Sequence, residues 1–162
     1  MGYSTDILIE RMKAYFGGDE RRIEHALSVL AAARAVNAVE KADPVVVEAA
    51  AVLHDIGIHE AERKYGSSAG NYQEIEGPPI AKEILAEFDL DEDVVEHVLA
   101  IIAEHHSAKT IDTREFRVLW DADWLVNIPD EFDLEEKTSL GALVVKVFKT
   151  AAGREMAEKK FL

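Results

Sequence analysis

Histidine and aspartate side chains fall on the apolar stripes of several amphipathic helices that the sequence predicts. His54 and Asp55 close the apolar run of "AAAVLHDIG", and His25 begins another stripe. The full set comprises His25, His54, Asp55, His105, His106 and Asp123. An isolated buried charge is costly, and proteins avoid it by pairing the charge or binding a metal ion. One such residue is usually a satisfied core histidine or a surface aspartate, so spacing alone leaves a metal site and ordinary polar residues both open.

The chemistry of these side chains suits a divalent metal ion. Neutral imidazole and carboxylate together bind Mn, Fe, Co, Ni or Zn. Helical bundles build such sites from side chains on facing helices. The prediction therefore requires the helices that carry His25, His54, His105 and Asp123 to converge.

Helical periodicity runs through nearly the whole chain. It predicts helices over 4–16, 20–38, 44–56, 79–88, 92–106, 113–127 and 133–152, with a short helix in the tail. Asp43 and Pro44 are typical of a helix start, and Gly57 offers the positive φ that would end the third helix. Residues 58–79 are predicted to be rich in loops, and Pro129 to end the sixth helix.

These elements predict an all-α fold in a single domain. The domain covers residues 1–162 as a bundle of about seven helices. Its motif-bearing core lies at about 20–127, and C-terminal helices occupy 133–162.

The charge balance limits the partners of the chain. A formal net charge of −14 argues against binding to a nucleic-acid polymer or to an anionic membrane surface. A small phosphorylated substrate stays compatible, because a bound metal ion can reverse the local field. The sequence has no cysteine, no signal-peptide pattern and no apolar run approaching the roughly 20 residues that span a bilayer. We therefore expect a cytoplasmic protein, and the sequence leaves monomer and homo-oligomer open.

Four segments of the chain resemble the HD superfamily of metal-dependent phosphohydrolases. They are "RRIEHALSVL", "AAVLHDIG", "AEHHS" and "LWDADWLVNI", which together span about residues 20–127. The family pattern is a histidine, a later His–Asp pair and a distant aspartate, all on helices. His25, His54, Asp55 and Asp123 match this pattern in order. The resemblance implies an HD-domain-like bundle in which these residues ligate a divalent ion of Mn, Fe, Co, Ni, Zn or Mg.

The resemblance also raises the question of a second ion. His105 and His106 match the histidine pair that binuclear members use for it, and Asp55 could bridge the two ions. Those members usually carry a further histidine shortly before the segment that here reads "GPPIAKEIL", and this chain has none there. Glu76 is the candidate substitute. A site with two ions, and a site with one ion in which His105 or His106 contacts the substrate, both remain open.

The segment "DAD" offers two candidates for the final aspartate ligand. Asp123 shares a helical face with Leu119 and Trp120 and is taken as the ligand. Asp121 lies four residues after Arg117 and is interpreted as half of an ion pair on the helix surface.

Arg22 precedes His25 by three residues, so both side chains point the same way. Its planar guanidinium could hold a phosphate oxygen beside the metal. A salt bridge to Asp19 or Glu20 is the competing interpretation.

The resemblance implies a phosphohydrolase that acts on a small phosphate monoester or nucleotide through metal-activated water. Asp55 would orient the water and Arg22 would stabilise the phosphoryl group, with monoester and diester hydrolysis not distinguished. Two alternatives stay open: a binuclear-iron oxygenase of HD type, and a non-catalytic HD module that binds a metal or ligand. Tyr65 and Tyr72 flank "GSSAGN", which could be a mobile loop that stacks on a base or a plain surface loop.

Overall fold

Nine α-helices and no β-strand form the fold in the computed structural model, which describes residues 1–162. The helices are α1 (Thr5–Phe16), α2 (Glu20–Glu40), α3 (Pro44–Leu53), α4 (Ile58–Tyr65), α5 (Gly70–Leu85), α6 (Glu92–Glu104), α7 (Arg114–Glu131), α8 (Lys137–Val147) and α9 (Ala151–Phe161). The prediction of an all-α fold is confirmed, and α4 is the one helix that was not predicted. None of the helices has both the length and the apolar character that crossing a bilayer requires.

α3 lies inside the bundle. Its residues from Ala49 to Leu53 are all buried, and it packs against α1, α2, α6 and α7. A helix that is apolar on nearly every side is stable only when neighbours surround it. α2 packs along both α3 and α7, and one hydrophobic cluster of 35 buried residues joins the elements. The histidines and aspartates predicted to bind metal lie on α2 and α7, or directly after the last residues of α3 and α6.

Side chains at the helix starts fix where the site-bearing helices begin. The Asp43 carboxylate accepts a first-turn backbone N–H at 3.0 Å, and Pro44 occupies the first turn of α3, as the sequence predicts. Asp19 caps α2 by accepting the Arg22 N–H at 3.3 Å, and Thr113 caps α7 through its hydroxyl oxygen. Each cap satisfies an N–H that has no partner within its helix.

Gly57 is needed for space rather than for an unusual backbone conformation. α3 ends at Leu53, and residues 54–57 form a turn in which Gly57 has a φ of −82°. The predicted positive φ at Gly57 is therefore wrong, as is the predicted helix end at 56. A Cβ on Gly57 would lie 2.6 Å from Gly77 N. The turn that carries His54 and Asp55 thus packs directly against the backbone of α5.

The segment predicted to be rich in loops is mostly helical. Residues 58–65 form α4, and α5 begins at Gly70 rather than at 79. Gly66 ends α4 with a left-handed φ of 67°. Pro78 and Pro79 lie inside α5, where each removes a backbone donor. The helix tolerates them because it is packed against α4, α6 and the turn after α3, and this packing overrides the local preference of the sequence.

The predicted last helix is interrupted at residues 148–150, which separate α8 from α9. The Asp121 carboxylate accepts the backbone N–H groups of Lys149 and Thr150 at 2.8 Å, and the Thr150 hydroxyl at 2.7 Å. The Thr150 hydroxyl oxygen in turn accepts from Gly153 N and caps α9. A side chain of α7 therefore stabilises the non-helical residues between α8 and α9.

Two predictions about α7 are corrected. Asp121 is fully buried, so its interpretation as half of a surface ion pair is wrong, and Arg117 pairs instead with Asp112 at 2.6 Å. Pro129 lies inside α7, which continues to Glu131 instead of ending at 127. A proline near a helix end removes a hydrogen bond only to the preceding turn, so the final residues can keep the helical conformation.

Candidate metal centre

Four side chains from α2, α7 and the turn after α3 meet at one point. His25 Nε2 lies 3.2 Å from Asp55 Oδ2 and 3.3 Å from Asp123 Oδ1. His54 Nε2 lies 3.4 Å from each of the same two oxygens and 3.3 Å from His25 Nε2. Two imidazole nitrogens and two carboxylate oxygens therefore face one another. The structure brings together the four residues that the sequence singled out for the first ion.

Backbone carbonyls fix the orientation of two imidazoles. His54 Nδ1 lies 2.7 Å from Ala51 O, and His105 Nδ1 lies 2.7 Å from Ile102 O. A carbonyl oxygen only accepts, so each Nδ1 carries a proton and each Nε2 of a neutral ring keeps its lone pair. Metal-ligating histidines are usually held in this way, with one nitrogen donating to the protein and the other free for the ion.

A second group of potential ligands adjoins the first. Asp55, His105 and His106 each offer one ligand atom, and these atoms lie within 4.8 Å of one another. Asp55 belongs to both groups, because His25, His54 and Asp55 satisfy the same criterion. His105 Nε2 lies 3.4 Å from Asp55 Oδ1 but makes no hydrogen bond, and it is the one buried side-chain nitrogen or oxygen without a partner. Such an atom is costly in an interior, which fits a nitrogen that is reserved for a ligand.

Histidine and carboxylate charges balance one another in the cluster. Burial alone would lower the pKa of His54, but the Asp55 and Asp123 carboxylates outweigh it and raise this pKa to about 9. Burial would raise the pKa values of Asp55 and Asp123, yet the neighbouring histidines, His54 foremost, hold both well below the usual range. The carboxylates therefore stay ionised and stabilise positive charge at this point. A divalent ion would satisfy the same oxygens, and its binding would displace the proton of His54.

A polar cavity of about 450 Å³ opens over the cluster. His25, Asp55, His106 and Asp123 contribute to its lining, and only two of its 14 lining residues are hydrophobic. A cavity of this volume accommodates a small molecule. Its polarity favours a hydrophilic ligand over an apolar one.

Arg22 lines this cavity together with Arg21. The Arg22 guanidinium lies 3.9 Å from the Glu62 carboxylate, a loose contact between partly exposed groups. It pairs with neither Asp19 nor Glu20, so the ion pairs considered from the sequence do not form. The guanidinium is therefore free to bind an anion in the cavity.

Gln73, which the sequence did not indicate, holds His106. Its amide nitrogen donates to Ser68 O at 2.6 Å, and its Oε1 lies 3.0 Å from His106 Nε2. Because the amide must donate to the carbonyl, its oxygen accepts from His106 Nε2–H and leaves the His106 lone pair on Nδ1. Burial and the neighbouring His105 lower the pKa of His106 to about 4, so the ring is neutral at neutral pH. Gln73 lies in a segment that was predicted to be loop, where no helical phase linked it to the site.

Asn127 is a second residue of the site that was not predicted from the sequence. Its Nδ2 donates to Asp123 Oδ1 at 3.0 Å, from one helical turn further along α7, and it lines the cavity. The spacing of four residues from Asp123 is a signal that could have found it, once Asp123 was taken as a ligand.

Glu76 is in neither group of potential ligands. Its carboxylate accepts from Lys64 Nζ at 2.8 Å and from the Tyr65 hydroxyl at 2.9 Å. The hydrogen bonds from Lys64 and Tyr65 lower the pKa of Glu76, so it stays ionised within this network. Tyr65 stacks on Tyr72 with ring centroids 4.2 Å apart, and neither ring lines the cavity.

Known proteins share the architecture of this chain. A family model described as HD domain matches residues 22–148, which is well over half of the chain. The structure is similar to the crystal structure of a predicted HD superfamily hydrolase from an uncultured Thermotogales bacterium, with a TM-score of 0.70. The two chains are 24% identical, and the match covers 96% of this chain and 84% of the other. At this identity the likeness shows a shared fold. No curated protein sequence matches the chain.

Proposed function

The chain belongs to the HD domain family, and we propose that it is a divalent-metal-dependent phosphohydrolase acting on a small phosphate monoester or nucleotide. The observation that carries the proposal is the meeting of His25, His54, Asp55 and Asp123 at 3.2–3.4 Å, with a polar cavity over them. Membership of the family supports metal-dependent hydrolysis as the general chemistry. The substrate class rests on the charges of the cavity.

The donor set fits a divalent ion. His25, His54, Asp55 and Asp123 would hold one ion through two nitrogens and two oxygens, a mixture that suits Mn, Fe, Co, Ni or Zn. The unpartnered His105 Nε2 supports a second ion, which His105 and His106 would hold with Asp55. When bound, the ion would lower the pKa of a coordinated water and polarise a phosphate oxygen.

The arginines of α2 would bind the phosphate. A guanidinium presents parallel donors that match two phosphate oxygens. Glu62, at 3.9 Å, is a weak competitor for the Arg22 side chain. Arg21 and Arg22 lie in the first turn of α2, where the helix dipole adds partial positive charge. In a protein with a net charge of −14, this local charge would capture the phosphate without long-range steering.

Asp55 would orient the attacking water. Its Oδ2 faces His25 and His54, whereas its Oδ1 faces His105. The neighbouring histidines hold its pKa low, so the carboxylate is ionised and can accept a hydrogen bond from water. The Asn127 amide donates a hydrogen bond to the Asp123 carboxylate, so the orientation of this second carboxylate is fixed as well. The protein would thus contribute position and electrostatic stabilisation.

Metal content and phosphate release test the proposal together. Purified protein, loaded in turn with each of the six candidate metals, would be assayed for phosphate release from a panel of nucleotides and sugar phosphates. We expect release by the natural sequence and loss of both release and metal in the isosteric variant Asp55→Asn. Asp112→Asn, which alters an exposed carboxylate paired with Arg117, is the matched control and should retain both.

The same measurements separate the alternative functions. Two bound irons with a charge-transfer band, and no phosphate release from any ester, would indicate an oxygenase. Bound metal without either activity would indicate a non-catalytic module. If Asp55→Asn keeps both its metal content and its activity, the assignment of the cluster is wrong.

A further inference from the structure

His59, on α4, contacts the residue that caps α2. Its Nε2 lies 2.7 Å from Asp19 Oδ2, 40 residues earlier in the chain. A carboxylate only accepts hydrogen bonds, so this nitrogen carries a proton and donates it. The hydrogen bond therefore joins α4 to the first residues of α2.

The His59 ring is held by a second contact. Phe16, the last residue of α1, is buried, and its ring meets the His59 ring nearly edge-on, with the centroids 5.3 Å apart. Aromatic rings favour this arrangement. The imidazole therefore has a defined direction, although its side chain is 37% exposed.

The Asp19 carboxylate depends on His59 for its orientation. Its Oδ1 accepts the Arg22 N–H at 3.3 Å, a long hydrogen bond, whereas its Oδ2 lies only 2.7 Å from the imidazole nitrogen. The hydrogen bond from His59 also lowers the pKa of Asp19, so the carboxylate is ionised and suits a helix N-terminus. Without His59, this carboxylate could turn away from α2.

The turn that Asp19 caps carries the arginines proposed to bind phosphate. Arg21 and Arg22 lie in the first turn of α2, and both line the cavity over the metal centre. The end turn of a helix opens most readily, because its N–H groups lack partners within the helix. His25 lies in the next turn, where Ala26 is buried, so this metal ligand depends less on the cap.

α4 fixes the first turn of α2 relative to the metal centre. The helix begins directly at the turn that carries Asp55, where Ile58 N donates to Asp55 O at 3.1 Å. His59 is the next residue, and Glu62 on the following turn lies 3.9 Å from the Arg22 guanidinium. The side chain of His59 thus links the turn after α3 to the start of α2.

We infer that His59 is a positioning residue, which holds the two arginines of α2 in place over the metal centre through Asp19. The inference rests on the proposed function, in which these arginines bind the phosphate group of the substrate. Loss of the hydrogen bond should weaken the binding of phosphate and leave the binding of metal unchanged. A histidine that only stabilised the turn between α1 and α2 would not produce this difference.

The binding of inorganic phosphate to the metal-loaded protein tests the inference. His59→Phe removes the donor and keeps an aromatic ring beside Phe16. We expect the dissociation constant for phosphate, measured by titration calorimetry, to rise about three- to tenfold, the effect of losing one hydrogen bond. The dissociation constant for the metal, measured on metal-free protein, should stay the same. His59→Gln, whose amide nitrogen can donate to Asp19, should bind phosphate as the natural sequence does.

His97→Phe is the matched control. His97 Nε2 lies 2.8 Å from the hydroxyl oxygen of Thr113, the cap of α7, so this histidine also contacts the cap of a helix that carries a proposed ligand. The first turn of α7 contributes no residue to the lining of the cavity. His97→Phe should therefore leave both dissociation constants unchanged.

The possible results separate the inference from the proposed function. No phosphate binding by the natural sequence, or equal phosphate affinity in His59→Phe, would overturn the inference. A His59→Phe protein that also loses its metal, or a His97→Phe protein that loses as much phosphate affinity, would overturn it as well, because the effect would then be a general loss of order. In each case, phosphate release from the ester panel would leave the phosphohydrolase standing. Phosphate binding that weakens as expected, without release from any ester, would overturn the proposed hydrolysis alone.

Discussion

At the scale of single residues, the ends of helices orient the ligating histidines. His54 follows the last residue of α3 and His105 follows the last residue of α6. The last carbonyls of a helix have no N–H partner within it. Ala51 O and Ile102 O accept from the two Nδ1–H groups at 2.7 Å and so find the partner they lack. One contact thus completes a helix end and points Nε2 of the imidazole towards the carboxylates.

Asn127 should matter for metal affinity although it is not a proposed ligand. Its amide donates to Asp123 Oδ1 at 3.0 Å and so fixes the direction of that carboxylate. In Asn127→Leu we expect the dissociation constant for the metal to rise about 10- to 100-fold, the usual effect of removing a partner of a ligand. Titration calorimetry with one chosen ion measures this constant directly.

The matched control is Asn71→Leu. Asn71 is exposed and its side chain makes no hydrogen bond, so its replacement should leave the metal affinity unchanged. An Asn127→Leu protein that binds the ion as tightly as the natural sequence would show that Asp123 needs no support from Asn127.

At the scale of helices, prediction from sequence succeeds where local signals agree. The start of α3 was predictable because Asp43 supplies the cap and Pro44 suits the first turn. α5 was not predictable in full, because tertiary packing stabilises it across Pro78 and Pro79. The break between α8 and α9 was not predictable either, since it depends on a side chain that lies 28 residues earlier, Asp121.

In the candidate site, too, some residues could be predicted from the sequence and others could not. The residue types and spacing of His25, His54, Asp55 and Asp123, with the family resemblance, were sufficient to predict that they meet. Gln73 and Asn127 act through their neighbours, His106 and Asp123. Amides carry no charge whose burial needs an explanation, so no local feature of the sequence marked them.

The junction between the turn after α3 and α5 has no room for a side chain at Gly57. A Cβ there would lie 2.6 Å from Gly77 N and 2.9 Å from Gln73 O, and backbone atoms cannot move as side chains can. We expect Gly57→Ala to lower the free energy of unfolding by about 1–3 kcal/mol, as overpacking does. Urea denaturation followed by circular dichroism measures the change.

Gly141 provides the control for that experiment. It lies within α8, and a Cβ there would meet nothing within 4 Å. Gly141→Ala should therefore stabilise the protein by about 0.5–1 kcal/mol, because alanine restricts the unfolded chain. If both alanine variants shift stability in the same direction, close packing at Gly57 is not the cause.

Asp121 joins α7 to the start of α9. Its carboxylate accepts two backbone N–H groups and one hydroxyl, all within 2.8 Å. In Asp121→Asn, the new NH₂ group would face donors and leave a buried N–H unsatisfied. We expect a loss of about 1–3 kcal/mol in the free energy of unfolding by chemical denaturation.

Asp112→Asn is the comparison for Asp121. Asp112 is an exposed aspartate near the start of α7, and its replacement removes only a solvent-exposed ion pair with Arg117. It should cost much less stability. Equal losses in the two variants would mean that the buried hydrogen bonds of Asp121 contribute nothing beyond its charge.

At the scale of the whole molecule, the metal centre links distant parts of the chain. His25 on α2, His54 at the end of α3 and Asp123 on α7 face one another, although about 100 residues separate the first from the last. The unfolded chain holds no such arrangement, so an ion that binds here binds the folded state alone. The protein also carries a net charge of −14, and a cation among its carboxylates reduces that repulsion.

Metal binding should therefore stabilise the fold as a whole. A ligand at 100 times its dissociation constant adds about 2.7 kcal/mol, which for a chain of this size raises Tm by about 5–10 °C. We expect this rise when apo-protein receives the preferred ion, and its reversal by a chelator, in scanning calorimetry. His54→Ala should abolish the rise because it removes a ligand, whereas Asn71→Leu should retain it. If none of the six candidate ions raises Tm in the natural sequence, then the four converging residues do not form a metal site.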